Sequence, residues 1–238
     1  MRIHSNMCSL IWKLIMIVVG GYTLFTQVFP ADVGFNVVFF HYFTNLSGLL
    51  LVFYLVADLI AVAACGKQGE AASVTLARPL LPGLKHAITL SIMVTGLVGH
   101  FMLFDKLFEG GFLHGELVVL HYMIPIMFLL DWLLFDEKGT MTWKGPIGWL
   151  GIPLLYFAGV IAVVQLTGLG LGMDWAAASA AGTAVVGQVS RYPYFFIDLD
   201  ALGIGGVALY VVVLLAVFAA LGYVLVLIDR LMAKHAKK

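Results

Sequence analysis

The chain has 238 residues, 62% of them hydrophobic and only 11% charged, whereas an ordinary soluble domain is about 45–50% apolar and about 25% charged. Thirteen basic side chains balance thirteen acidic ones and there are only two cysteines. That excludes a basic nucleic-acid-binding protein and a disulfide-stapled secreted module, and the hydrophobicity excludes a disordered chain.

What remains is an integral membrane protein, each of whose helical spans needs roughly 20 apolar residues. Six stretches reach that length, at about 9–29, 36–64, 84–104, 115–135, 147–169 and 204–228. Runs this long without apolar–polar alternation are helices and not barrel strands. The expectation is an all-α polytopic protein with one membrane domain over 1–238. The first span is too long for a signal peptide, and no small-x-small site follows it before Pro30. Two connections are long. The stretch 65–83 is rich in Gly and Ala and closes at Pro79 and Pro82. The stretch 170–203 has an Ala-rich middle, 174–186, expected to form a short surface helix capped by Asp174. Arg191 to Asp198 supplies aromatic residues suited to a membrane–water interface. Glycines 20, 21, 48, 96 and 99 read as close helix contacts, and Gly203, Gly205 and Gly206 as a flexible start to the last span.

Eleven of the thirteen Lys and Arg residues fall on the N-terminal side of the spans, leaving Lys106 and Arg191 opposite. The positive-inside rule then makes both termini cytoplasmic. Cys8 and Cys65 lie on that reducing side, so no disulfide is expected.

A charged or imidazole side chain inside a span is costly and marks a candidate functional residue. The second span carries His41, Thr44, Asn45, Ser47 and Asp58. The third has Thr95 and His100, the fourth Glu116, His121 and Asp131, and the fifth Gln165. At 1.5 Å per residue, Thr44 falls about 12 Å below the outer end of its span, His121 about 9 Å and His100 about 6 Å. His41 stands one turn above Thr44, so three histidines and a hydroxyl share one layer. Each has an ordinary structural reading: a buried histidine bonds a carbonyl, a mid-helix threonine bonds back to its own helix, and Asn45 and Ser47 tie helices together. Asp58 and Asp131 lie deeper and read as anchors, or as partners of Lys67, Lys138 or another nearby charge.

Two functional readings compete for the layer. His41, His100 and His121 offer facing histidines for a haem in a non-enzymatic haem- or lipid-binding protein. No two histidines within one of these helices have the i, i+4 spacing that clamps zinc. The other reading is nucleophilic catalysis, in which His121 takes the proton of the Thr44 hydroxyl.

Tyr42-Phe43-Thr44-Asn45-Leu46-Ser47, then His121-Tyr122-Met123-Ile124-Pro125 running into Asp131-Trp132-Leu133-Leu134-Phe135, resemble the androgen-induced and androgen-dependent tissue-factor-regulating family of six-helix membrane hydrolases. Trp149 to Tyr156, and Tyr192-Pro193-Tyr194 with Asp198, resemble its bacterial branch, and the likeness runs along the whole chain. It implies six helices, a bacterial inner membrane, and hydrolysis of fatty acid esters of hydroxy fatty acids by a threonine and a histidine, matched by Thr44 and His121. The sequence departs from the animal pattern at Ser47 and Gly48, where an asparagine is expected nearby. The reading is therefore a lipid ester hydrolase with Thr44 as nucleophile and His121 as base. His41, Asn45 and His100 are candidates for orienting the base or holding the oxyanion. No metal or organic cofactor is expected, and the partner is a lipid entering from the bilayer.

Overall fold

The computed structural model of the protein describes residues 3, 5–31, 34–65, 74–107, 115–167 and 191–236. Among these residues every regular element is helical and there is no strand. The helices are α1 (Asn6–Val28), α2 (Phe43–Cys65), α3 (Pro82–Leu107), α4 (Gly115–Phe135), α5 (Gly145–Trp149), α6 (Gly151–Thr167) and α7 (Leu199–Ala236). With α5 and α6 running on as one, six segments are long and apolar enough to cross a membrane. The expected all-α, six-span architecture is what the chain adopts. The Ala-rich stretch 174–186 lies outside the described residues, and Cys8 and Cys65 are free thiols.

Local chemistry sets the helix ends. Ser5 caps α1 by accepting the Cys8 N–H at 3.3 Å, and the Phe29-Pro30 step lies just past its end. Asp198 caps α7 by accepting the N–H groups of Asp200 and Ala201 at 2.9 and 3.0 Å, which satisfies orphan donors of the first turn. Within α7, Gly203 has φ 64° and ψ 176°, a conformation open to glycine. The last helix therefore starts at Leu199 and kinks at Gly203, whereas the sequence places its start at the glycines themselves.

A second boundary moves further. The sequence starts the second span near Asn36, but α2 begins at Phe43. Val37–His41 form a 3-10 turn and Tyr42 is extended at φ −93° and ψ 130°. The run Val-Val-Phe-Phe-His-Tyr is β-branched and aromatic, a weak helix former. The Asn45 amide also ties it down by donating to the Phe39 carbonyl at 3.0 Å. Thr44 is thus the second residue of α2 and not a residue buried two turns down. His41 lies beyond the helix, so the single-face pairing of His41 with Thr44 does not hold.

In a bilayer lipid is as apolar as leucine, so helices associate by close packing and polar contacts. α3 is the axis of the bundle: 61% of its apolar window is buried, against 17–39% for the other spans. It packs on α2, α4, α5, α6 and α7. Its buried hydroxyls are satisfied within the helix, Thr89, Ser91 and Thr95 each donating to the carbonyl four residues earlier.

One end of the bundle holds a chain of buried charges. Asp58, Lys13, Asp131, Lys85 and Asp136 alternate in sign, with N···O separations of 3.6, 3.0, 2.6 and 2.7 Å. They come from α2, α1, α4, α3 and the residue just past α4, and all are essentially inaccessible. Asp58 also accepts the Leu80 N–H at 2.6 Å, and Tyr54 donates to the Leu80 carbonyl at 2.6 Å, pinning the approach to α3. Asp58 and Asp131 are thus partners of nearby charges, and those charges are Lys13 and Lys85. Each of those lysines sits inside a span, not in a loop. Lys67 lies outside the described residues.

Candidate active site

The opposite end carries Thr44. Its neighbour Phe43 opens α2, and the orphan Phe43 N–H donates to the Tyr194 phenol oxygen at 3.1 Å. The Thr44 hydroxyl lies beside the same phenol and interacts with it. Burial pushes the Tyr194 phenol up to about 12, so at neutral pH it keeps its proton. An aromatic cluster holds it there: it stacks on Phe196 at 5.1 Å and meets Tyr42 and Tyr156 edge-on at 6.1 and 6.5 Å. The Tyr156 hydroxyl in turn donates to the His41 carbonyl at 2.8 Å. The segment read as an interfacial aromatic belt is folded against the start of α2.

His121 sits on a π-turn, Val119–Met123, inside α4. Pro125 explains the turn. A proline cannot donate to the carbonyl four residues earlier, and its ring collides with that group, which here belongs to His121. The helix widens to relieve the clash, and the Ile124 N–H bonds Val119 instead. Such single π-turns recur at functional sites.

α3 offers the widened turn a bare surface. A Cβ on Gly96 would lie 3.2 Å from the His121 carbonyl, and one on Gly99 would lie 2.1 Å from His121 Nδ1. The imidazole therefore occupies the space a Gly99 side chain would fill. Its Nδ1 is 3.1 Å from the Thr95 carbonyl oxygen. A carbonyl only accepts, so in this contact Nδ1 carries the proton and Nε2 the lone pair. Among the described residues Nε2 has no hydrogen-bond partner. Gly99→Ala is expected to keep the fold but swing the ring off the Thr95 carbonyl. The check is an NMR spectrum of the imidazole nitrogens, and an unchanged His121 signal would contradict this account.

Thr95 lies between the two candidate residues. Ser47, one turn along α2 from Thr44, donates to the Thr44 carbonyl at 3.1 Å and lies 3.2 Å from the Thr95 hydroxyl, and the Thr95 carbonyl holds His121. Among the described residues no hydrogen bond joins Thr44 to His121 directly. Asn45 spends its amide on the Phe39 carbonyl and so acts as a cap. His41 is buried, and neither ring nitrogen has a hydrogen-bond partner, a cost of about 1–3 kcal/mol per orphaned group. His100 is exposed on α3, with Nδ1 at 2.8 Å from the Tyr122 hydroxyl, on a different surface from buried His121. The histidine layer thus divides into two buried rings and one peripheral ring. Tyr194 and Gly99 are the participants the residue-by-residue reading did not assign to the site.

Compared with known proteins, the chain matches no protein-family profile, no curated protein and no solved structure.

Proposed function

We propose that the protein is an integral membrane hydrolase of lipid esters with Thr44 as nucleophile and His121 as base. The observation that carries this reading is the anchored imidazole, whose Nδ1 is committed to the Thr95 carbonyl while Nε2 makes no hydrogen bond among the described residues. A hydroxyl is a weak nucleophile until such a base takes its proton. In the reaction, the Thr44 hydroxyl gives its proton to His121 Nε2 as Oγ bonds the ester carbonyl carbon. Collapse of the tetrahedral intermediate breaks the bond to the alcohol oxygen, which takes the proton from Nε2. Water, deprotonated by His121 Nε2, then attacks the acyl carbon; the bond to Thr44 Oγ breaks, Oγ takes the proton back from Nε2, and the fatty acid leaves. The likeness of Thr44 and His121 to the threonine and histidine of the membrane hydrolase family supports the same assignment. A fluorophosphonate probe should label the purified protein on the peptide bearing Thr44, and labelling at another residue, or none, overturns it.

The protonated Tyr194 phenol is placed to donate to the developing oxyanion beside Thr44. Removing one such donor costs on the order of 10²–10³ in kcat, so Tyr194→Phe should lower kcat by about that factor with KM little changed. A variant that raised KM alone would assign Tyr194 to substrate binding.

We further propose a bacterial inner membrane with both termini cytoplasmic, following the basic residues. A fluorescent protein fused after Lys238 should fluoresce in intact cells. A dark fusion that is present in the membrane would reverse the topology.

The non-enzymatic reading retains one favourable observation: among the described residues neither nitrogen of buried His41 has a hydrogen-bond partner. A Soret band in the purified protein that disappears in His41→Ala would select it.

A further inference from the structure

A second feature lies at the charged end of the bundle and is independent of the hydrolase reading. An open cleft of about 610 Å³ runs between the start of α3, the loop after α4, and α5–α6. Three observations on it converge.

The first is that glycine keeps it open. Gly83, Gly148 and Gly151 line the cleft, and a Cβ added at any of them meets nothing within 4 Å. A helix glycine is about 0.8–1.0 kcal/mol less favourable than alanine, and here no close packing demands it. Gly145, also in the lining, differs: its Cβ would lie 2.7 Å from the Trp149 ring, so that glycine lets the indole fold back to form a wall.

The second is His86, which is only 3% exposed and lines the cleft. Its ring meets Trp149 edge-on at 5.6 Å. Among the described residues neither nitrogen has a hydrogen-bond partner, so a donor and an acceptor stand unspent against the hollow.

The third is charge. No Asp or Glu lines the cleft, and α3, whose first turn carries the positive end of the helix dipole, has no acidic residue in that turn. Lys85 and Lys138 both act electrostatically on His86, and Lys144 immediately precedes α5. The hydroxyl-bearing Thr140 and Thr142 belong to the loop wall, whereas Leu155 on the other wall is 75% exposed. Lys85 is itself paired with Asp131 and Asp136, so where the spans end the cleft is a polar wall without a carboxylate, bordered by Lys144, and it is apolar where they enter the bilayer.

We propose that this cleft binds the headgroup of an anionic phospholipid, its phosphate accepting hydrogen bonds from His86, Thr140 and Thr142 while an acyl chain lies along Ile152 and Leu155. The test is native mass spectrometry of the full chain in mild detergent with dioleoylphosphatidylglycerol, dioleoylphosphatidylcholine or oleate. One phosphatidylglycerol should be retained about tenfold more strongly than phosphatidylcholine, a difference of about 1.4 kcal/mol. Gly148→Phe and Gly151→Phe fill open space and should keep the thermal stability of the parent while losing that adduct. His86→Phe keeps a ring against Trp149 and should lose the preference for phosphatidylglycerol. Equal retention of the two phospholipids, or an undiminished adduct in a folded glycine-to-phenylalanine variant, overturns the proposal. Oleate outcompeting phosphatidylglycerol for the cleft would also overturn it, in favour of a free carboxylate.

Discussion

Thr44→Ala is expected to bring ester hydrolysis close to background, a loss on the order of 10⁴-fold or more in kcat, with His121→Ala equal to it and the double variant no worse. Residues that share one chemical step fail together, because either deletion already removes the step. Two independent contacts would instead add in free energy. Thr44→Ser should retain turnover, since it keeps the hydroxyl and loses only a methyl. The purely structural role open to Thr44 is its polar interaction with Tyr194 at the start of α2, and losing even a full hydrogen bond costs about 0.5–1.5 kcal/mol. A structural role would therefore appear as a small drop in melting temperature with hydrolysis intact. The assay follows fatty acid release from a long-chain hydroxy-fatty-acid ester in detergent, with monodispersity checked by chromatography. Full activity in well-folded Thr44→Ala ends the nucleophile assignment.

The six spans were legible because the bilayer imposes length and apolarity on every one of them, and nothing local needs to be known to see that. The start of α2 was not legible. Hydropathy runs unbroken from Val37 to Ala64, and the break comes from contacts distant in sequence: Asn45 on the Phe39 carbonyl and, from 151 residues away, Tyr194 on the Phe43 N–H. Counting from Asn36 placed Thr44 two turns into a helix that in fact begins at Phe43. For His121 the local signal was present in His-x-x-x-Pro, which predicts a disturbed helix, and in the Gly96 and Gly99 pair. That these belong together is a fact of packing between α3 and α4. Lys13 and Lys85 were visible as charges in or at the edge of apolar runs. Counting them as topological markers hid the question of what they neutralise once buried.

That question leads to the largest expected change in stability. Lys85 bridges Asp131 and Asp136 at 2.6 and 2.7 Å, out of contact with solvent. Lys85→Met keeps most of the volume but leaves two carboxylates adjacent, with only Lys13 beside Asp131. Removing one partner of a buried pair typically costs about 3–5 kcal/mol, so the variant should unfold at markedly lower temperature or denaturant. Asp136→Asn should behave in the opposite way. Three carboxylates face two ammonium groups in this chain, and the amide removes the excess negative charge. Burial raises the Asp136 carboxyl above the ordinary range, and the neighbouring Asp131 adds to it, against the pull of Lys85 and Lys13. The groups around it are Lys85 and His86 on α3, Asp131 on α4, Lys13 on α1, Asp58 and Tyr54 on α2, and Glu137 and Lys138 beside it, with Arg78 paired to Glu137. A raised acid binds more protons folded than unfolded between its two values. Its contribution to stability therefore falls as pH rises from the ordinary carboxylate range to the raised one, and levels off above it. Melting curves across that window should show this downward slope in the wild type and a flatter profile in Asp136→Asn. A Lys85→Met protein as stable as the parent, or an Asp136→Asn protein as damaged as Lys85→Met, would mean that the chain is not ionised in this alternating pattern.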